Sequence, residues 1–329
     1  MFIFFKGLIF ITFCISSSIA AEYTIKLTHV VSPNTPKGKG ADFLAKRVSE
    51  LTHGRVEVIV YPNSQLYGDG EEIKALKLGN VHIAMPSFSK FTSMVPEMQL
   101  FDLPFLFRDA SHVHTVLDGE VGQIIKDKVT AKGFVAIDYW DAGFKHFSSS
   151  KKAILMPSDA EGQKLRIMKS HVLESQCNVM GAIPVILPFA SVYSALRQGS
   201  VDGAENPLSN FYTKNFYEVQ TDLTLSSHGY LGYLVIMSES FWRKFPTDLK
   251  PMIMQAVKEA TAYERKLVAQ DDEETLEKLK MYAKTSDHFK IHTLSVEQKE
   301  IWQKTMEALY PQFYGVIGED LIKKVQVIR

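Results

Sequence analysis

The residues that could bind a small molecule lie at or just past the ends of predicted strands. Apolar and β-branched runs predict strands over residues 23–30, 82–85, 164–168 and 184–187, among others. In open α/β sheets, ligands bind beyond the carboxyl ends of the strands. The side chains at these ends include a guanidinium, an amide, an imidazole, a thioether and aromatic rings: His29, Ser87, Phe88, Arg166, Met168, Phe189 and Asn206. This set predicts a site that holds a small solute.

Signatures of catalysis are missing from the sequence. It contains no Gly-x-Ser-x-Gly elbow, no His-Glu-x-x-His, no Walker loop and no Gly-x-Gly-x-x-Gly after a strand. His112 and His114 have a spacing that could bind a metal, but without nearby Cys or carboxylate partners a surface segment is favoured. Cys177, in a helical run, is interpreted as a small buried residue. The sequence therefore favours binding over catalysis, with no metal and no cofactor.

The elements that must position these side chains alternate between strand and helix. Further strands are predicted over residues 56–61, 134–139 and 230–237, and apolar positions at helical spacing predict a helix over residues 40–51. A run of helix formers that starts with the cap Thr247 predicts a helix over residues 247–283. Because that helix exceeds roughly 45 Å, it is expected to bridge two lobes.

A weak internal repeat also indicates two lobes. Ala75-Leu-Lys-Leu-Gly79-Asn-Val-His-Ile-Ala84 resembles Ala195-Leu-Arg-Gln-Gly199-Ser-Val-Asp-Gly-Ala204, and residues 54–62 parallel residues 181–188. Each copy reads as a helix end, a glycine stop and a short strand. The predicted fold class is α/β, with two similar α/β lobes, a ligand cleft between them and a long helix spanning both. Facing strand ends then suit a hinged clamp.

Composition and the N-terminus limit the partners. The 329 residues carry 37 basic and 37 acidic side chains, which gives no basic excess for nucleic acid. With 46% hydrophobic residues, the chain can bury a substantial core. Residues 1–20 combine one lysine, an apolar run and a small-residue end at Ser18-Ile-Ala20, which predicts a signal peptide cleaved before Ala21. Cleavage leaves Cys177 as the one cysteine, so no internal disulfide is expected.

The candidate positions fall into phrases that resemble a known family. In order and spacing, the phrases are Thr28-His-Val30, Thr35-Pro-Lys-Gly38, Tyr61-Pro-Asn-Ser-Gln-Leu66, Trp140-Asp-Ala-Gly-Phe-Lys145, Lys164-Leu-Arg166, Val201-Asp-Gly-Ala-Glu-Asn-Pro207 and His228-Gly-Tyr-Leu-Gly-Tyr233. Over essentially its whole length, the mature chain resembles the periplasmic solute-binding subunits of TRAP transporters, the DctP-like family. The resemblance implies a periplasmic clamp that closes around an organic anion and docks onto the small and large TRAP membrane subunits.

The resemblance also implies an organisation of the chain. Residues 21–143 with about 232–271 are expected to form the first lobe, and residues 144–231 with about 272–329 the second. A monomer is the expected state for such a clamp. Export into the periplasm follows from the predicted signal peptide together with the family.

Three residues match the family's ligand contacts. Arg166 looks like the arginine that pairs with the ligand's carboxylate, and a guanidinium suits that role because it binds a carboxylate bidentately and keeps its charge. The resemblance implies that Asn206 faces the ligand, although an Asn before a proline also forms turns. Phe189 falls at the family's aromatic position, where an ordinary core residue is the alternative.

Several phrases resemble the C4-dicarboxylate branch of the family. Lys37 and Lys145 would then supply charge for a second carboxylate opposite Arg166, because an uncompensated buried carboxylate is prohibitive. The remaining predicted ligand contacts are His29, Phe88, Trp140, Met168 and Tyr230. Ala142 departs from the Asn common in that branch and puts the preferred acid in doubt.

Alternative functions remain open at this point. Within the family, the ligand could be a monocarboxylate or a sugar acid, in which case neither Lys37→Ala nor Lys145→Ala changes the affinity much. Outside the family's usual role, the protein could be a periplasmic enzyme, which turns its ligand over, or a sensor subunit.

Overall fold

The computed structural model describes residues 20–328. It contains nine strands, whose bounds are β1 Tyr23–Thr28, β2 Val56–Tyr61, β3 Ile83–Ala84, β4 Phe134–Ser149, β5 Lys164–Ile167, β6 Ile183–Ile186, β7 Gly203–Asn206, β8 Asp222–Ser238 and β9 Lys290–Thr293. The eleven α-helices are α1 Pro36–Leu51, α2 Glu71–Lys77, α3 Ala110–Asp118, α4 Glu120–Thr130, α5 His171–Val179, α6 Val192–Arg197, α7 Leu208–Thr213, α8 Glu239–Lys244, α9 Lys250–Thr285, α10 Val296–Glu307 and α11 Glu319–Val327.

The strands form one sheet with a parallel group at each end. The order is β2-β1-β3-β8-β4-β7-β5-β6, and β9 pairs with β8. Strand β1 lies parallel to β2 and β3, and β5 lies parallel to β6 and β7. The antiparallel pair β4–β8 joins the two groups. We call the part around β1, β2 and β3 the first lobe, and the part around β5, β6 and β7 the second lobe.

The internal repeat is confirmed in three dimensions. Helix α2 is followed by Gly79 at φ +75° and by β3, and helix α6 by Gly199 at φ +68° and by β7. The closing hydrogen bonds match, because Asn80 N donates to Ala75 O and Ser200 N donates to Ala195 O, both at 2.9 Å. Glycine is needed at both stops because the left-handed backbone is costly for other residues.

Strands β4 and β8 are much longer than the sequence predicted. The predictions were residues 134–139 and 230–237, whereas the strands are Phe134–Ser149 and Asp222–Ser238. The extensions hold buried polar residues such as Asp141, Lys145 and His146, which concealed the strand in the hydropathy pattern. Register shifts interrupt the pair, and one falls between Asp141 and Gly143. The predicted lobe boundaries at 143/144 and 231/232 lie at that shift and stay a prediction.

The long helix α9 crosses both lobes. Its 36 residues span about 54 Å, and it packs against α1 in the first lobe and α7 in the second. It begins at Lys250, three residues after the predicted cap, because Pro251 occupies its first turn and Leu249 caps it. Trp140 of β4 fixes the helix to the sheet by donating its Nε1–H to Thr261 Oγ1 at 2.9 Å.

The predicted signal peptide lies almost wholly outside the described residues. Within residues 20–328, no helix combines the length and the apolar character that crossing a membrane requires. Two apolar clusters of buried residues fill the interior: the larger contains β1, β3 and the middle of β4 and β8, and the smaller contains Phe189, Phe211 and Phe216 of the second lobe.

Candidate functional site

A cavity lies between the two lobes where the strands of both groups end. The space between the atoms there, counted together with the part that is open to solvent, is about 400 Å³. Its walls come from both lobes and mix apolar with charged side chains: Val30, Val31, Asp69, Ser87, Lys145, Arg166, Met168, Phe189, Glu205, Asn206, Asn210, Leu231 and Tyr233.

Arg166 of β5 presents a partly free guanidinium to this cavity. Its Nε and Nη2 donate to Leu187 O at 3.0 and 2.9 Å, and its Nη1 has no hydrogen-bond acceptor among the described residues. The group lies 5.9 Å from the centre of the Phe189 ring. Burial lowers the pKa of Arg166, against the attraction of Asp69 and Glu205. The backbone carbonyl of Leu187 therefore orients the fork while one edge stays available for an anion.

Asn206 provides a second donor at the cavity wall. It is the last residue of β7, and its Nδ2 is buried without a hydrogen-bond partner among the described residues. A buried amide donor without an acceptor costs about 1–3 kcal/mol. A ligand oxygen in the cavity would remove that cost. Phe189 and Met168, also at strand ends, supply apolar wall next to these donors.

Lys145 lines the cavity but already has a counter-charge. Its Nζ lies 2.5 Å from Glu205 Oε1. The second oxygen, Oε2, accepts from Gln176 Nε2 at 2.9 Å and from His228 Nε2 at 2.8 Å. Burial alone would raise the pKa of Glu205, but the Lys145 ammonium and the His228 hydrogen bond hold it well below its usual range. Two of the three ammonium hydrogens of Lys145 remain for other acceptors.

Lys37 lies one layer behind the cavity wall. It is buried, its Nζ donates to Met85 O at 3.2 Å, and it stands 3.4 Å from the centre of the Tyr233 ring. Within residues 20–328, no carboxylate oxygen lies within 4 Å of this ammonium. Burial lowers the pKa of Lys37 to about 7, against the attraction of Glu72 and Asp69. The Tyr233 ring, which lines the cavity, lies between this ammonium and the cavity.

We expect Lys37→Met to change how stability depends on pH. The unfolded chain keeps this proton to about pH 10.4, whereas the folded chain releases it near pH 7. Wild-type stability therefore gains up to ~1.4 kcal/mol per pH unit from this group as the pH rises between those values. The Met variant lacks that slope, so its advantage over wild type is largest at pH 7 and narrows towards pH 10.

Urea unfolding at pH 7, 8, 9 and 10 measures this difference. Lys39→Met is the matched control, because Lys39 lies on the same helix with its side chain exposed. Parallel pH curves for wild type and Lys37→Met would contradict the prediction.

Four other predicted contacts do not reach the cavity wall. His29 is buried, with both ring nitrogens lacking a partner among the described residues, and burial next to Lys37 lowers its pKa to about 3. Phe88 packs on Phe101. Trp140 donates its Nε1–H to Thr261 of the long helix, and Tyr230 donates its hydroxyl hydrogen to Asp141. These side chains pack into the first lobe and its junction with α9. Their contacts there are with residues that are distant in the sequence, so the sequence alone did not indicate them.

Other cavity residues were not anticipated. Asp69 lies in the loop before α2, Asn210 on α7, and Tyr233 in the middle of β8. Tyr233 forms an isolated bridge with Ser87, which the sequence did place at a strand end. The loop and the helix carry no strand-end signal, so only their position in the fold brings them to the site.

The residues considered for other chemistry have structural partners. His112 Nε2 lies 3.0 Å from Val325 O, and His114 Nε2 lies 2.6 Å from Asp141 Oδ2, so the two rings face different partners. Cys177 is buried, and burial raises the pKa of its thiol to about 12. A thiol with so high a pKa is a poor nucleophile.

Comparison with known proteins places this geometry in a family. Residues 27–315 match the model of the bacterial extracellular solute-binding proteins, family 7, known as DctP. The chain belongs to this family. The predicted resemblance is thereby confirmed.

Relatives within family 7 match along nearly the whole chain. The C4-dicarboxylate-binding periplasmic protein DctP of Rhodobacter capsulatus is 40% identical over 310 residues, which cover 94% of this chain and 92% of the relative. A TRAP periplasmic solute-binding protein from Sulfurospirillum deleyianum DSM 6946, solved with bound succinate, is 77% identical with a TM-score of 0.93, covering 94% of this chain and all of the other.

A third family member agrees with these two. The TRAP periplasmic solute-binding protein from Shewanella oneidensis, also solved with bound succinate, is 38% identical with a TM-score of 0.89, covering 94% of this chain and 99% of the other. The predicted fold class, two α/β lobes with a cleft between them and a long helix spanning both, is confirmed by this likeness.

Proposed function

We propose that this protein captures a C4-dicarboxylate in the cavity between its lobes and delivers it to the small and large membrane subunits of a TRAP transporter. The observation that carries the proposal is the buried edge of Arg166, which faces the cavity together with the orphan amide of Asn206. The 77% identical relative with bound succinate supports the choice of acid.

Arg166 takes one carboxylate of the acid. A guanidinium edge and a carboxylate form two parallel hydrogen bonds, which fix the orientation of the ligand as well as its charge. The second carboxylate accepts from Asn206 and from the free hydrogens of Lys145. In its protonated form, which its pKa of about 7 makes about half of the population at pH 7, Lys37 adds positive potential from behind Tyr233. Phe189 and Met168 pack against the carbon chain.

Capture is coupled to closure of the cleft. A ligand favours the closed arrangement only to the extent that it binds that arrangement more tightly. The donors Arg166 and Asn206 belong to the second lobe, whereas Val30 and Ser87 of the opposite wall belong to the first. An acid held by both walls therefore stabilises closure, and no bond needs to be made or broken. The proposed role is binding without turnover.

A panel of acids tests this function. Residues 21–329 are unfolded and refolded to remove any acid carried through purification, then heated with succinate, fumarate, malate, pyruvate, lactate, uronates or sialic acid. We expect the unfolding temperature to rise with the C4-dicarboxylates, because ligand at a hundred times its Kd adds ~2.7 kcal/mol to stability. Succinate recovered unchanged after long incubation is the expected control for turnover.

Other outcomes of the panel are equally clear. A rise only with monocarboxylates or sugar acids would retain Arg166 as the anchor and remove Lys145 and Lys37 from the site. No rise with any acid would contradict solute binding by this cavity. Conversion of succinate to another compound would contradict a role without turnover.

A further inference from the structure

One carboxylate of the first lobe reaches across the cleft to the second. Asp69 Oδ2 accepts from the backbone N–H of Phe189 at 3.2 Å and lies 3.8 Å from Arg166 Nη2. Its anchor within its own lobe is Lys90, whose Nζ lies 2.8 Å from the same oxygen. The Asp69 side chain is only 6% exposed and that of Lys90 10%. A single buried anion thus bridges cations and an amide of both lobes.

Asp69 also lines two spaces. It lines the inner cavity with Arg166, and it lines an outer recess on its other side together with Lys90, Lys169 and Leu187. The recess has walls from both lobes, as the cavity does. Asp69, whose carboxylate accepts from the backbone N–H of Phe189, therefore forms part of the wall of both spaces.

We propose that Asp69 is the latch of the cleft, a positioning residue that holds the lobes together and slows the release of bound acid. The inference rests on the proposed function, since it concerns how that acid is retained. The two second-lobe partners are in reach of Asp69 only while the lobes are closed. Hydrogen bonds with an ionised partner are about twice as strong as neutral ones, so this contact favours closure over opening.

Three further hydrogen bonds across the cleft are weaker in kind. Ser87 Oγ donates to Met168 Sδ at 3.4 Å, and Thr92 Oγ1 lies 3.5 Å from Lys169 O. Lys214 Nζ donates to Asn63 Oδ1 at 3.0 Å, but that pair is exposed. Sulfur is a weak acceptor and an exposed pair competes with water. Asp69 is therefore the buried, charged member of this set.

Removing the charge of Asp69 is expected to raise both rate constants, and the two increases change the affinity in opposite directions. The variant Asp69→Asn keeps the size and an acceptor oxygen, but it leaves Lys90 and Arg166 without their anion. The more positive cleft attracts anions faster. The weakened latch releases them sooner. Affinity alone would mix the two effects, so the rates must be measured separately.

Stopped-flow mixing with succinate gives both rates. For Asp69→Asn we expect the dissociation rate constant to rise at least about fivefold, with an association rate constant equal to or above that of wild type. The matched control is Lys169→Met, which changes an exposed cation of the same recess that has no salt bridge to Asp69. It should dissociate within about twofold of wild type.

Each result decides the proposal. Wild-type binding of succinate with an unchanged dissociation rate in Asp69→Asn would overturn the latch and leave the proposed function intact. If wild type bound no C4-dicarboxylate, the proposed function would fail and the latch with it. If Asp69→Asn did not fold, Lys90→Met decides instead: faster release supports the latch, because Asp69 loses its anchor, and unchanged release overturns it.

Discussion

Arg166→Ala is expected to weaken the binding of C4-dicarboxylates by roughly 30-fold to 5,000-fold. Truncating one partner of a buried charge pair costs ~2–5 kcal/mol, and every 1.4 kcal/mol is about tenfold in Kd. The cost is large because the acid's carboxylate stays buried in the cavity without its cation. The carbonyl oxygen of Leu187 also loses the two hydrogen bonds that it accepts from the guanidinium.

Isothermal titration with succinate measures this loss. Arg166→Lys keeps the charge but not the fork, so it should recover only part of the affinity, because an ammonium cannot form the paired hydrogen bonds. Arg197→Ala is the control, since Arg197 is an exposed arginine on helix α6 of the same lobe. Wild-type affinity in a correctly folded Arg166→Ala protein would remove Arg166 from the ligand site.

Glu205→Gln is expected to lower the free energy of unfolding at pH 7 by ~3–5 kcal/mol, the cost of breaking a buried ion pair by removing one partner. The change leaves the Lys145 ammonium, about 1% exposed, without its anion. It also weakens the hydrogen bonds from Gln176 and His228, which share the other carboxylate oxygen. Urea unfolding measures the loss, with the exposed Glu161→Gln of the same lobe as control.

A double-mutant cycle separates the ion pair from general disruption. Lys145→Met alone should also destabilise, because it leaves Glu205 without its cation. The double variant Lys145→Met/Glu205→Gln should be more stable than the sum of the two single losses predicts, since neither buried charge is then unpaired. Simple additivity of the two losses would contradict the buried pair.

The effect of Glu205 should also depend on pH in a defined direction. The pKa of Glu205 is lowered in the folded protein. Its stabilising contribution is therefore fully present above the unfolded value near 4.3 and is lost as the pH falls below it. The gap between wild type and Glu205→Gln should narrow when unfolding is repeated at about pH 3.

Much of the fold follows from local sequence signals. The glycine stops at Gly79 and Gly199 and the strands after them were predicted, because a left-handed helix end and its glycine are properties of a few neighbouring residues. The same signals placed Arg166, Phe189, Met168 and Asn206 at strand ends, and all four line the cavity. These strand ends meet at the cleft because the two lobes have the same topology, which the internal repeat had already indicated.

Partners of buried polar groups required the tertiary structure. Lys145 and Glu205 are 60 residues apart, and no local pattern indicates that they meet. Lys37 was expected at the ligand and lies behind Tyr233, because a long side chain on a helix can end on either side of a neighbouring ring. The polar extensions of β4 and β8 were missed for a related reason. Their charged side chains are buried because each meets a partner that is distant in the sequence. A hydropathy pattern scores every charged residue as exposed, so it does not indicate a buried strand there.

The sequence by itself determined the alternation of strands and helices, the two repeated lobes, the family and the arginine at the end of β5. These properties depend on residue type and on spacings of a few positions. Only the tertiary structure decided which charges are already neutralised, which rings close the cavity and that Asp69 reaches across the cleft. Those properties depend on distances of a few ångströms between residues far apart in the chain, where burial makes every unpaired charge costly.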